Sequence, residues 1–420
     1  MGHPGRRGDP RPAGQPAVGD GGPAPRPPGP GGLAAADAGR AGLTVRGGEG
    51  RGARQVRVDP KRLERAFGVV ERFVGEGQIP GAVALVGLGE QVYGPRAYGW
   101  AALEPKRRPM EVETLFDLAS LTKVVATAAI AWRLLDEGVI RLDDRACAFL
   151  PGYGAGERGA SGAWKGEVTL RHLLTHTSGL AAWEPLAAVP GTPEERFRRL
   201  LTYPLQHRPG TRVVYSCLGY ILLGRILTVV TGQPLDQLAR ELIFEPLGMQ
   251  ATGFCPPEAV RARTAATEHA PDLGRILEGI VHDENARALG GVAGNAGLFG
   301  TAADLARFAQ EVLKALRGEE ALWSPAVMAL ATRSLTPGME EERGLGWQLS
   351  GGRPFSPAGD LFSPRSFGHT GFTGTSLWID PDRELYAILL TNRVHPSREN
   401  QAHLRLRPLF HNGVAAAVLA

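Results

Sequence analysis

Phe116-Asp-Leu-Ala-Ser120-Leu-Thr-Lys123-Val-Val-Ala-Thr127 decides how the rest of this chain is read. It sets a serine and a lysine three positions apart, ahead of an apolar run through Ala128, Ile130, Trp132, Leu134 and Leu135 that stops at Gly138. The run predicts a buried helix. Residues i and i+3 share a helix face, so the Ser120 hydroxyl and the Lys123 amine are expected to meet. A serine hydroxyl attacks a carbonyl only when a neighbour takes its proton, and a lysine can do so only if burial or nearby charge lowers its pKa, which the apolar run after Lys123 leads one to expect. Only five of the 47 Lys+Arg residues are lysines: Lys61, Lys106, Lys123, Lys165 and Lys314. Arginine supplies the rest of the positive charge and does not deprotonate, so Lys123 is a chemically pointed choice. An S-x-x-K pair also arises by chance at helix starts whose lysine faces solvent, and needs company before it means anything.

The chain of 420 residues, 43% apolar and 21% charged, has ordinary globular composition and enough length for a large core. Residues 1–55 differ. Gly, Pro, Ala and Arg dominate there, and such a segment buries too little apolar surface to offset its chain entropy, so it is expected to be a disordered tail. Its eight arginines against three Asp and one Glu equal the whole chain's formal +4, which leaves the body near neutral. A basic tail suits nucleic acid or anionic lipid. Its low complexity favours a plain linker, or an upstream extension from a misassigned start. No apolar stretch follows Met1, so no secretory signal is expected in the sequence as written. The nearest approach to a membrane span, Tyr220 to Val230, is broken by Arg225. Cys147, Cys217 and Cys255 are odd in number and lack metal-ligand spacing, against a disulfide framework or zinc site.

The folded part is expected from about residue 56, with Asp59 capping and Pro60 opening a helix to about Val74. Strands are expected over 81–87 and 91–98, with later ones over 344–349, 375–379 and 385–391. Between them, from about 140 to 335, the pattern reads as a helical subdomain, with helices over 170–175, 194–201, 220–231, 235–243 and 303–316. Helices inserted between early and late strands predict an α+β unit whose sheet draws on both chain ends.

Two further stretches bear on Ser120. Thr211-Arg-Val-Val-Tyr215-Ser-Cys217 puts a tyrosine ahead of an apolar helix, which a core tyrosine explains equally well. Gly368-His369-Thr370-Gly371-Phe372-Thr-Gly-Thr375 reads as a strand whose missing side chains admit a substrate backbone, or as a tight bend. His282, Asp283 and Glu284 suggest a metal cluster, but consecutive residues cannot all point one way. His176 and Ser178 lie outside any G-x-S-x-G elbow and read as a turn after a helix. The Gly291 to Gly297 run lacks the strand a dinucleotide site requires and reads as a loop.

In this order, the three motifs resemble those of the serine β-lactamase and penicillin-binding protein superfamily, most closely its class C-like branch with S-x-x-K, Y-x-N and K/H-T-G. The resemblance takes in Leu170-Arg-His-Leu-Leu-Thr-His-Thr-Ser-Gly179, Val281-His-Asp-Glu-Asn-Ala286, Gly290-Gly-Val-Ala-Gly-Asn-Ala-Gly-Leu-Phe299 and His369-Thr-Gly-Phe-Thr-Gly-Thr-Ser-Leu-Trp-Ile-Asp380, across roughly residues 60–412. It implies a β-lactamase/transpeptidase-like fold: a mainly antiparallel sheet flanked by helices, a helical subdomain, and the site between them.

It further implies an acyl-enzyme route in which Ser120 is acylated, Lys123 and Tyr215 share the proton transfers, and His369 stands where relatives often have lysine. Oxyanion donors would be the N–H groups of Ser120 and Phe372, with Thr370, Gly371 and Cys217 lining the substrate site. Relatives usually have Asn or Asp where Cys217 stands, to hold the lysine and bind the substrate amide. Thiols hydrogen-bond poorly, so the change points away from amide and β-lactam turnover toward an easier ester, with a redox handle as a lesser alternative. The Val281 segment resembles the penicillin-binding protein 4B-like branch. That implies D-alanyl peptides or wall fragments first, carboxylesters next and β-lactams third, without cofactor or metal. The partner implied is a small-molecule or peptide substrate rather than nucleic acid, with oligomeric state left open and an extracytoplasmic setting common among relatives. The competing class is a sensor that acylates once and stops.

Overall fold

A computed structural model describes residues 57–154, 160–350 and 356–419; the expected tail over 1–55 lies outside the described residues. Helix α1 (Pro60–Gly75) starts where the sequence puts it. The Asp59 carboxylate accepts from the Lys61 and Arg62 N–H groups at 2.9 and 3.2 Å, and Pro60 fills the first turn.

Strands β1 (Gly81–Leu88), β2 (Gln91–Ala102), β3 (Arg108–Pro109), β4 (Gln348–Leu349), β5 (Phe367–Thr370), β6 (Ser376–Asp380) and β7 (Leu385–Thr391) form one antiparallel sheet in the order β4-β5-β6-β7-β1-β2-β3. Both chain ends therefore supply its centre, where Ala82 pairs with Thr391 and Leu88 with Leu385. Side chains alternate between two cores. Val83, Leu85, Tyr386, Ile388 and Leu390 join one, and Ala82, Ala84, Val86, Leu385, Ala387 and Leu389 the other. A strand buried on both faces has no polar side, which is why β1 reads Gly-Ala-Val-Ala-Leu-Val-Gly-Leu.

The first core is filled by α2 (Ala129–Asp136), α3 (Cys217–Thr231) and α4 (Ala302–Leu316), with Trp132 set 5.6 Å from Trp323 and 5.7 Å from Trp347. The second lies under α1 and α5 (His403–Ala417), whose Phe67 and Phe410 rings meet at 6.2 Å. Among the described residues no single helix is long and apolar enough to cross a membrane.

Several expectations need correction. Residues 119–136 are not one α-helix: a 3₁₀ turn over Ala119–Leu121 and a π-helical stretch over Lys123–Ala128 precede α2. The helix after Leu235 likewise widens into π turns over Arg240–Phe244. The strand expected over 344–349 shrinks to Gln348–Leu349, because Gly346 adopts a left-handed φ of 95° and donates its N–H to Leu174. Strand β5 ends at Thr370, and residues 371–375 turn rather than extend. α3 begins at Cys217, three residues earlier than expected, because Ser216 caps it by accepting from the Gly219 N–H at 3.1 Å.

Candidate active site

The 3₁₀ turn carrying Ser120 is held against its own preference. Ala119 sits at φ 47°, a region costly for a residue with a Cβ. The buried Asp117 carboxylate holds it there, accepting from the Ala119 N–H at 2.8 Å with one oxygen and from the His282 N–H at 2.7 Å with the other. Ser120 is left half-buried, facing open space.

Lys123 follows one turn later with no exposed surface. Its Nζ lies 3.0 Å from Ser120 Oγ, 3.0 Å from the Asn295 carbonyl and 3.5 Å from Cys217 Sγ. The glycine-rich loop brings Asn295 there, anchored where Thr127 Oγ1 donates to the Gly294 carbonyl at 2.8 Å. Burial alone would lower the Lys123 amine as the sequence leads one to expect, but the neighbouring Cys217 and Tyr215 groups outweigh it and hold the amine above its ordinary value instead. Burial also lifts the Tyr215 phenol, opposed by Lys123. Tyr215 interacts with both Lys123 and Ser120, and its ring lies 5.0 Å from Lys123 Nζ. A buried amine hydrogen-bonded to a reachable hydroxyl is the arrangement that a serine nucleophile and its proton acceptor require.

His369 arrives from β5, its ring 5.8 Å from that of Tyr215. Burial, with repulsion from Arg343 and Lys123, presses it well below the ordinary imidazole range, so it is neutral. Its Nδ1–H donates to the Thr370 carbonyl at 2.8 Å, which leaves Nε2 an acceptor without a partner among the described residues. Arg343, paired with the Glu341 carboxylate, and Arg407 line the same 450 Å³ cavity as Ser120 and His369. On the other side of Ser120, Trp183, Cys217 and Phe372 help wall a 370 Å³ cavity.

Gly371 lets the turn after β5 reach the serine. A Cβ there would lie 2.6 Å from the Leu118 carbonyl and would collide with Thr375 Oγ1. Thr373 and Thr375 hydroxyls donate to the Asp117 and Leu118 carbonyls at 2.8 and 3.1 Å, tying the two segments together. Gly371→Ala is therefore expected to pry them apart, lowering kcat by about 10²-fold and stability by about 1–3 kcal/mol. Ester kinetics and urea unfolding measure the two; an unchanged kcat would show that the close approach is dispensable.

The sequence analysis brought Ser120, Lys123, Tyr215, Cys217, His369, Thr370, Gly371 and Phe372 together, and all line this site except Lys123, which lies beneath its floor. It missed Asp117, the Asn295 carbonyl, Arg343 and Arg407. It also missed that His176, which does sit in a turn, packs its ring at a tilt 4.5 Å from that of Tyr215 and accepts from the Ser216 N–H at 3.0 Å. Asp283 and Asn295, linked at 3.2 Å, stood in segments already singled out, which was the one available signal. His282, Asp283 and Glu284 diverge: His282 bonds Glu268 at 2.9 Å, Asp283 caps a short helix, and Glu284 pairs with Arg398 at 2.6 Å.

The model of the Beta-lactamase family matches residues 67–410. An Escherichia coli protein named "Putative D-alanyl-D-alanine carboxypeptidase" is 36% identical over 311 residues, 67% of this chain and 70% of that protein. A Bacillus subtilis protein named "N-acetylmuramyl-L-alanine amidase" is 33% identical over 364 residues, 80% of this chain and 82% of its own. Among solved structures, EstCE1, described as a hydrolase with promiscuous acyltransferase activity, superposes with a TM-score of 0.67 at 26% identity, covering 84% of this chain and 99% of EstCE1. With the family's match spanning the whole sheet, the chain belongs to the Beta-lactamase family, as a serine hydrolase of the β-lactamase and penicillin-binding protein superfamily.

Proposed function

We propose that Ser120 is acylated by the carbonyl of a D-alanyl peptide or related wall fragment, and that water then releases the acyl group. The observation that carries this is the 3.0 Å contact between the buried Lys123 amine and Ser120 Oγ. Once the Lys123 and Tyr215 pair has shed one proton, it takes the proton from Oγ as Oγ bonds to the carbonyl carbon. The carbonyl oxygen becomes an oxyanion facing the Ser120 and Phe372 N–H groups. Among the described residues the Phe372 N–H has no backbone acceptor, as a donor kept for substrate should be. Collapse breaks the bond to the leaving amine, which takes a proton back through Tyr215. Water then attacks the ester by the same route and the carboxylate departs. His369 Nε2 accepts from a substrate donor, and Cys217, Thr370 and Gly371 shape the cleft.

The two relatives' names favour amide bonds of wall peptides. A carboxylester is the second reading, favoured by Cys217, whose thiol offers little to a substrate amide, and by the aromatic Trp183 and Phe372 walls. The test is a time course with a D-alanyl-D-alanine peptide, a p-nitrophenyl ester and nitrocefin, with intact mass taken at each point and any adduct mapped. Sustained release of D-alanine with a transient adduct on Ser120 is the expected result. Sustained turnover of the ester alone would replace the peptide with the second reading. A stable adduct after a single burst would make the protein a sensor, and an adduct on another residue would sink the proposal.

A further inference from the structure

Arg407 lies on α5, far from the three motifs in sequence, and is only 5% exposed. Its Nη2 donates to the Gly371 and Thr375 carbonyls at 2.7 and 2.8 Å. Arg393, equally buried, donates through Nε to the Phe372 carbonyl at 2.8 Å and lays its guanidinium 4.4 Å from the Phe372 ring. Neither arginine has a carboxylate partner among the described residues. Burial and the charge of Arg393 press Arg407 down to about 9, still protonated at neutral pH.

Burying an ion without a counter-ion is costly, and a neutral amide could tie two carbonyls at less cost. What the charge adds follows from connectivity. The Gly371 carbonyl and the Phe372 N–H belong to one peptide group. A cation at the oxygen draws electron density across that group and makes its N–H a stronger donor, while fixing the plane in which the N–H points.

We infer that Arg407 is a positioning residue of the oxyanion site, acting through the Gly371–Phe372 peptide to aim and strengthen the Phe372 N–H. The inference rests on the proposed role of that N–H. Charge on the oxyanion appears only as the tetrahedral state forms, so the effect falls on acylation and not on substrate affinity.

The test compares Arg407→Gln and Arg407→Lys with the unaltered protein on a p-nitrophenyl ester. Rates are expressed per site titrated by a fluorophosphonate, which removes misfolded protein from the comparison. Arg407→Gln is expected to lose about 10- to 100-fold in acylation rate with KM within about twofold, and to lose affinity for a tetrahedral boronate by a matching factor. Arg407→Lys, which keeps the cation but not the two-carbonyl fork, recovers part of both. Acylation and boronate affinity within about threefold of wild type in Arg407→Gln overturn the inference, as does a loss confined to KM. Should Arg407→Gln yield no titratable sites, Arg407→Lys decides: matched losses in the two readouts support the inference, and wild-type values of both overturn it. Mapping the fluorophosphonate separates the failures, since labelling of a residue other than Ser120 sinks the proposed function, whereas labelling of Ser120 with unaffected variants sinks only the role of Arg407.

Discussion

Ser120→Ala is expected to lower kcat on the order of 10⁵-fold, leaving the residual rate that transition-state binding alone supports. In the proposed route Oγ is the atom that bonds to the substrate carbon, and it is both hydrogen-bonded to Lys123 and open to the two cavities. The variant should still fold. Ser120 is half-buried, and losing its bond to Lys123 costs about 1 kcal/mol, while Lys123 keeps the Asn295 carbonyl at 3.0 Å. Substrate affinity should survive, and no covalent adduct should appear in the mass spectrum. Unchanged hydrolysis by the alanine variant would move the nucleophile elsewhere, whatever the fold.

Lys123→Met should lose about 10³- to 10⁴-fold through the loss of the proton acceptor. Methionine matches the volume and removes a buried charge, whose relief opposes the cost of stranding the Asn295 carbonyl, so stability should move by no more than about 2 kcal/mol. The pH dependence is the sharper readout. Both Lys123 and Tyr215 are held above their ordinary values, so at neutral pH the amine is an ammonium and the phenol neutral. Attack needs one proton fewer on the pair, and kcat/KM of the wild type should therefore climb as pH rises from neutral into the alkaline range. Lys123→Met should lose the lysine's share of that climb. A variant with the wild-type alkaline profile would show that the lysine is not the group being titrated. Combining Lys123→Met with Ser120→Ala should cost little beyond Ser120→Ala alone, because the two act as a unit.

The chemical heart of the site was legible because its parts are close in sequence or carry distinctive side chains. Ser120 and Lys123 meet as their spacing implies, although Ser120 sits on a 3₁₀ turn and Lys123 opens a π-helical stretch, and no single α-helix carries both. β1 and β7 were legible as apolar runs between turn residues. Hidden were the parts whose role depends on tertiary approach. Asn295 meets Lys123 through its backbone carbonyl, which any side chain permits. Arg343 and Arg407 are ordinary arginines until the fold carries them to Ser120. α5 escaped notice because Pro408 interrupts its pattern, and a proline inside a run usually signals an end. The widened turns over Lys123–Ala128 left no local signature, since each residue there is compatible with an ordinary helix.

The pairing of β1 with β7 governs when this protein becomes competent during its own synthesis. Ala82 leaves the ribosome long before its partner Thr391, and Lys123 long before Arg407. A nascent chain must therefore carry an unpaired central strand of eight buried residues until β7 has emerged. Closing a loop of that length is entropically costly and slow, and an open apolar edge invites association with other chains. The sheet that carries His369 beside Ser120 is thus complete only once β7 has emerged, and a chain stalled before β7 would call for a chaperone.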